Sequence, residues 1–159
     1  MLNFYRLSQD YLKFSGVDRL DLINRLSTNQ VNSLEIFHDV KTVLTSDKGR
    51  FVDLLTLYNF GEFVFVTCSF NNSSNVIAHL DKYTIMDDFT PANISGTHET
   101  ILFYGGNVQE LINKISGIDI TGLTNNNFLV TSTPDAIITT NDDAFGGVKF
   151  IYSIDDKEY

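Results

Sequence analysis

Between Asp39 and Thr67 three apolar runs follow one another with only short turn segments between them, and this stretch limits the fold more than any other part of the chain. Asp39 to Thr45 alternates through Val40, Val43 and Leu44; Asp47-Lys48-Gly49-Arg50 has turn chemistry; Phe51 to Tyr58 resumes the apolar run with β-branched Val52 and Thr56. A second turn at Asn59-Phe60-Gly61 leads into Glu62-Phe63-Val64-Phe65-Val66-Thr67. Parallel neighbours need a long crossover, so runs joined this closely pair antiparallel, as a three-stranded meander. Thirteen Phe and seven Tyr without a Trp agree, because flat rings pack well on a pleated, half-buried surface.

Helices are read around this sheet. Residues 2–14 mix apolar and polar positions in a way that suits one or two short strands, and Ser15-Gly16 ends the pattern. From Asp18 onward Leu20, Ile23 and Leu26 fall three apart, predicting a short helix that leaves Asp18, Arg19, Asp21, Asn24 and Arg25 mainly for solvent. Asn71-Asn72-Ser73-Ser74 offers N-cap oxygens ahead of Val76, Ile77, Leu80 and Tyr83, which share one helical face. Thr90–Ser95 and Thr100–Tyr104 read as strands, and Gly105-Gly106 precedes a third helix. There Asn107 and Glu110 make a capping-box-like pair, Val108, Leu111, Ile112 and Ile115 form the apolar face, and Gly117 is the stop. Further strands are predicted at Asn127–Ser132, Ala136–Thr140 and Val148–Ser153, with turns at Thr124-Asn125-Asn126, Pro134-Asp135 and Asn141-Asp142-Asp143.

Strands and helices intermingle without βαβ regularity, so the predicted fold class is α+β, with antiparallel sheets and helices packed on them. No repeat or flexible linker marks a boundary, and the meander with the second helix, about residues 39–95, is the part that reads as an inserted subdomain.

A net charge of -9 repels phosphate backbones and anionic headgroups, which argues against nucleic-acid and membrane partners. Lys48, Arg50 and Lys149 are candidates for a local basic pocket, against the plainer reading of solvated surface charges. The single Cys68 sits in an apolar run and has no disulfide partner, which implies a reducing compartment, and no run approaches the ~20 apolar residues that span a bilayer. The chain therefore reads as cytoplasmic.

His38, His79 and His98 are scattered without a metal-ligand spacing, although His79 and Asp81 lie close in sequence, so no metal site is expected. Neither a nucleophile elbow nor a phosphate-binding glycine motif occurs, and no catalytic residue is assigned. The doublets Asp87-Asp88, Asp142-Asp143 and Asp155-Asp156 fall in turn-like or terminal stretches where carboxylates face water. Asp53 differs, because it interrupts the apolar run Phe51-Val52-Asp53-Leu54-Leu55. Either its face of the sheet is wet or it lines a polar cavity.

Ser-Gly-Val-Asp at 15–18, Leu-Ser-Thr-Asn-Gln-Val at 26–31 and Leu-Thr-Ser-Asp-Lys-Gly-Arg at 44–50 resemble successive signatures of the family that joins glycine-cleavage T-proteins to YgfZ-type folate-binding proteins. Weaker similarity continues through Tyr83, Phe103-Tyr104-Gly105-Gly106 and Gly146-Gly147-Val148. The resemblance implies the N-terminal folate-binding region of that family over residues 1–159, with tetrahydrofolate as the bound cofactor, and a C-terminal barrel domain that these residues do not include.

Lys48-Gly49-Arg50 resembles the YgfZ branch, which implies a role in assembly or maintenance of iron–sulfur enzymes and iron–sulfur proteins as partners. The Lys-Gly-Cys-Tyr-x-Gly-Gln-Glu-like motif of that branch does not occur here. In the T-protein branch two consecutive aspartates follow the turn, the second being the carboxylate implicated in tetrahydrofolate chemistry. This chain has Asp53 at the first and Leu54 at the second, and a pterin-holding glutamate would fall near Lys149, which only donates. Because strand side chains alternate faces, Asp53 substitutes for a carboxylate at 54 only through a register shift or bulge.

The resemblance thus implies a folate binder with Asn29 and Asp53 as ligand-contacting residues. The alternatives are an aminomethyltransferase acting on tetrahydrofolate, and a scaffold that keeps the fold without the ligand.

Overall fold

The structure is a computed structural model, and it describes residues 1–132, 135–141 and 146–154. The described elements run β1 (Leu2–Leu7), β2 (Gln9–Ser15), α1 (Arg19–Leu26), β3 (Asp39–Thr45), β4 (Phe51–Asn59), β5 (Val64–Ser69), α2 (Ser73–Asp81), β6 (Thr90–Asn93), β7 (His98–Gly105), α3 (Val108–Ser116), β8 (Phe128–Ser132), β9 (Asp135–Thr140) and β10 (Val148–Ser153). This is the α+β arrangement expected from the sequence: two five-stranded antiparallel sheets with helices packed on them.

The chain divides into two compact units, Gln9–Gly96 and a second made of Met1–Ser8 with the described residues from Thr97 onward. The inner unit begins at Gln9, well before residue 39, because β2 is a central strand of its sheet, ordered β3-β4-β5-β2-β6. The other sheet is ordered β1-β7-β10-β9-β8. The opening apolar stretch therefore makes two strands that belong to different sheets, a separation that no local pattern encodes.

In the inner unit the meander β3-β4-β5 forms as predicted, with Val43 opposite Leu54 and Thr56 opposite Thr67. Gly49 has φ +68 in the first turn, a conformation that favours glycine. One face of the sheet is apolar through Leu12, Phe14, Leu44, Leu55, Leu57, Val64 and Val66, and it buries Leu22 and Ile23 of α1 and Val76 and Leu80 of α2. Leu22 is fully buried although it lies outside the i, i+3 stripe, so the apolar face of α1 is wider than the spacing showed. Gly16, at φ +99, lies so close to the 84–88 loop that a Cβ would sit 2.0 Å from the Asp88 carbonyl oxygen.

In the outer unit α3 packs Ile112 against Ala136, Ile138, Val148 and Phe150. The predicted capping box is absent: Asn107 adopts φ 66 and its side chain makes no cap, whereas Gly117 ends the helix as expected, its amide donating to Asn113 O at 2.8 Å. The Asp142-Asp143 and Asp155-Asp156 doublets, and parts of the turns at Pro134 and Asn141, lie outside the described residues.

Candidate functional site

The elbow after α1 is laid along β3 as if it were one more strand. The Thr28 amide donates to Val43 O at 3.1 Å, Thr28 Oγ1 accepts the Val43 amide at 3.3 Å, and Ser27 bridges to Leu44. The Asn29 amide donates to Thr42 Oγ1 at 3.1 Å, and its side-chain Nδ2 donates to Lys41 O. From the helix side Asn24 Oδ1 accepts the Val31 amide at 2.7 Å. Asn24, predicted to face solvent, instead fixes the far end of the elbow. Asn29 remains exposed, and its Oδ1 receives no donor among the described residues.

Asp53 is fully buried on the helix-covered face of the sheet, in register with Leu44. Its Oδ1 accepts the Leu54 amide at 2.7 Å and the Ser69 hydroxyl at 2.6 Å; its Oδ2 accepts the Ser69 amide at 3.2 Å and Asn72 Nδ2 at 2.8 Å. Four donors use the carboxylate's acceptor capacity, so this side chain has none left for a ligand. A bulge does occur, between Leu44 and Thr45 on β3 opposite Phe51–Asp53, and it leaves Asp53 on the core face. Asp53 instead ties β4 to the end of β5 and to Asn72, the residue just before α2.

Asp10 on β2 completes this joint. It is in register with Cys68, and its Oδ2 accepts the Ser73 amide at 3.1 Å, so it, and not the run of N-cap side chains read from the sequence, caps α2. Burial pushes its carboxyl upward, but the Ser73 hydroxyl and the amides of Ser73, Asn71 and Asn72 outweigh burial and hold it below 3.8. Cys68 between the two acids has its thiol pushed up to about 12, first by burial and then by the charges of Asp53 and Asp10. It is a structural, unreactive thiol. Sequence reasoning missed Asp10, Ser69 and Asn72; the one available signal was that Asp10, like Asp53, is an acid placed inside a strand.

Leu54 points to the opposite face, beside its partner Val43 and in line with Lys41 and Thr56, and is 47% exposed. A side chain at 54 is therefore presented outward, at the position where the resemblance expects a reacting carboxylate. Chemically this part of the face offers apolar contact from Val43 and Leu54, with the Asn29 side chain held on the Lys41 carbonyl further along β3, and no acid or base at 54.

The remaining candidates are dispersed. Lys48 and Arg50 are exposed at the β3–β4 hairpin, whereas Lys149 lies on β10 of the other unit, opposite Leu102 and Thr139. His79 Nε2 lies 3.1 Å from Thr45 O, His38 Nδ1 lies 3.9 Å from Glu35, and His98 Nδ1 contacts Thr97 Oγ1 at 2.7 Å. Among the described residues no three of His, Cys, Asp and Glu converge as metal ligands would. Asp87 pairs with Arg25, and Asp88 accepts the Val17 amide at 3.2 Å. An open concavity of about 750 Å³ beside α3, lined by Asn107, Glu110, Asn113 and Asp119 among others, contains none of the candidate residues. No described helix is long and apolar enough to cross a membrane.

No protein-family model and no curated protein matches the chain. Solved structures do. The glycine cleavage system aminomethyltransferase T from Bartonella henselae superposes with a TM-score of 0.80 at 12% identity, over 95% of this chain and 42% of that one. The heterotetrameric sarcosine oxidase from Corynebacterium sp. U-96, solved with pyrrole 2-carboxylate, gives 0.68 at 7% identity, over 96% of this chain and 75% of that one. The fold is thus the T-protein-like fold, and the chain spans less than half the length of the aminomethyltransferase it matches.

Proposed function

We propose that this chain binds a folate, with tetrahydrofolate as the ligand, and that it does so without transferring a one-carbon unit. The single observation that carries this reading is the pair of faces taken by Asp53 and Leu54. The carboxylate is buried and saturated in the core, while the outward position, where transfer chemistry would need an acid, holds an aliphatic side chain. An aliphatic face suits the planar ring system of a pterin, and the Asn29 Oδ1 acceptor suits its ring N–H groups. Asp53 then acts as a positioning residue that holds β4 and α2 in place.

The likeness of fold to the aminomethyltransferase supports a folate-binding fold. The Lys48-Gly49-Arg50 turn favours a YgfZ-like role in maintaining iron–sulfur enzymes over glycine cleavage. Isothermal titration with tetrahydrofolate and folinic acid tests the binding: heat at micromolar to millimolar ligand, reduced in Asn29→Ala, is expected. No heat at millimolar ligand sinks the reading. The aminomethyltransferase alternative is tested by supplying a lipoyl-bound aminomethyl carrier protein, and methylene-tetrahydrofolate formation by the unaltered chain would establish that alternative instead.

A further inference from the structure

β3 is an edge strand of its sheet, and the elbow that runs antiparallel beside it is joined to it by side chains where a further strand would use its backbone. The Thr28 amide does donate to Val43 O, but the returning bond from the Val43 amide goes to the Thr28 hydroxyl at 3.3 Å. Further along, the Lys41 carbonyl receives Asn29 Nδ2, and the Asn29 backbone amide is taken by the Thr42 hydroxyl at 3.1 Å. Thr42 is 1% exposed and fixed on the core face opposite Leu55. From α1, Asn24 Oδ1 accepts the amides of Val31 at 2.7 Å and Asn32 at 3.4 Å. Asn29 is therefore held from both sides, at its backbone and at one end of its own side chain.

This clamp decides which end of the amide a ligand meets. A carbonyl oxygen only accepts, so the Asn29 atom beside Lys41 O is the nitrogen, and turning the amide over would set two acceptors against each other. The end left exposed is Oδ1, an acceptor. A free surface asparagine offers a donor or an acceptor with equal ease and loses rotamer freedom when a ligand stops it. Asn29 is stopped beforehand and offers acceptance alone.

We propose that Thr42 is a positioning residue for Asn29, and that the Lys41 carbonyl locks the Asn29 amide so that the site admits the N–H edge of a ring ligand and rejects a carbonyl edge. The identity of the ligand rests on the folate reading above: a reduced pterin carries its 2-amino group and a neighbouring ring N–H on one edge, and both can donate to Oδ1. The lock itself belongs to the free chain, because every bond that makes it lies within residues 24–43.

Titration calorimetry with tetrahydrofolate, and side-chain amide NMR relaxation without ligand, test the two parts on the full chain. Thr42→Val keeps the branched shape and loses the hydroxyl; it is expected to weaken binding at least about threefold, and Thr42→Ser to restore it. In an Asn29→Ala background the same Thr42→Val change adds nothing, because it acts through Asn29. A loss of equal size in both backgrounds marks Thr42 as a general structural residue and overturns the proposal. Asn29→Asp keeps an outward oxygen but has no N–H for Lys41 O, so it binds as poorly as Asn29→Ala; affinity equal to or above the parent's overturns the lock. In the ligand-free parent the Asn29 Nδ2 order parameter is expected near the rigid-backbone value of roughly 0.85, falling below about 0.6 in a Thr42→Val variant that circular dichroism shows to be folded. Equal values in the two overturn the proposal even where tetrahydrofolate binds. A parent that binds no tetrahydrofolate yet keeps this amide rigid sinks the folate reading and leaves the lock standing.

Discussion

Replacing Asp53 with asparagine separates a buried joint from a ligand-facing carboxylate. The native side chain accepts from the Leu54 amide, the Ser69 amide and hydroxyl, and Asn72 Nδ2, all between 2.6 and 3.2 Å. Asparagine keeps one acceptor oxygen, which still serves two of these donors. Its amide nitrogen then faces two further donors that have nothing else to meet, and flipping the amide only exchanges which two are lost. A buried donor without a partner costs ~1–3 kcal/mol, so the substitution should destabilise the unit by about 3 kcal/mol.

With a urea dependence of roughly 2 kcal/mol per molar, that cost lowers the unfolding midpoint by about 1.5 M. Urea titration followed by circular dichroism reads the shift directly. If Asp53 instead stood on a wet pocket wall, the same change would fall within about 0.5 kcal/mol, as at ordinary surface positions. A midpoint within about 0.3 M of the parent, coupled with weaker tetrahydrofolate binding, would refute the joint and restore Asp53 as a ligand residue.

Four further outcomes follow from the same geometry. Asp10 has its folded carboxyl held below its ordinary value of 3.8, so its contribution is present in full above that value and is lost as pH falls through the folded one. Urea midpoints of the parent and of Asp10→Asn should differ near pH 7 and converge below pH 3.8, and a constant gap would contradict the capping role. With its thiol pushed up to about 12, Cys68 should resist iodoacetamide at pH 8 in the native state and react readily in urea. Leu54→Asp should fold with a midpoint near the parent's, whereas Leu55→Asp, at a fully buried position, should not fold; a reversed pattern would mean the strand register is misassigned. Gly16→Ala should cost about 2–3 kcal/mol, because φ is +99 and the added Cβ meets the Asp88 carbonyl at 2.0 Å, and thermal melting would show it.

Periodicity and turn chemistry made the β3-β4-β5 meander, α2, α3 and the α+β class legible in the chain alone, because each depends on neighbours a few residues apart. The same patterns showed that Asp53 was out of place in an apolar run, whereas only the resemblance to the T-protein signatures made Leu54 stand out as lacking a carboxylate. What they did not contain was the direction each side chain faces in three dimensions, or the identity of its partners.

Asp53 finds Ser69 and Asn72, 16 and 19 residues away, and Asp10 finds Ser73 across 63 residues. No local rule carries such pairings. The assignment of β1 and β2 to separate sheets is likewise a consequence of which distant strands complete each ladder. The sequence by itself determined the elements and the odd placement of one acid. Only the tertiary structure decided that this acid belongs to the core, because a buried carboxylate is stable only where distant donors converge to satisfy it.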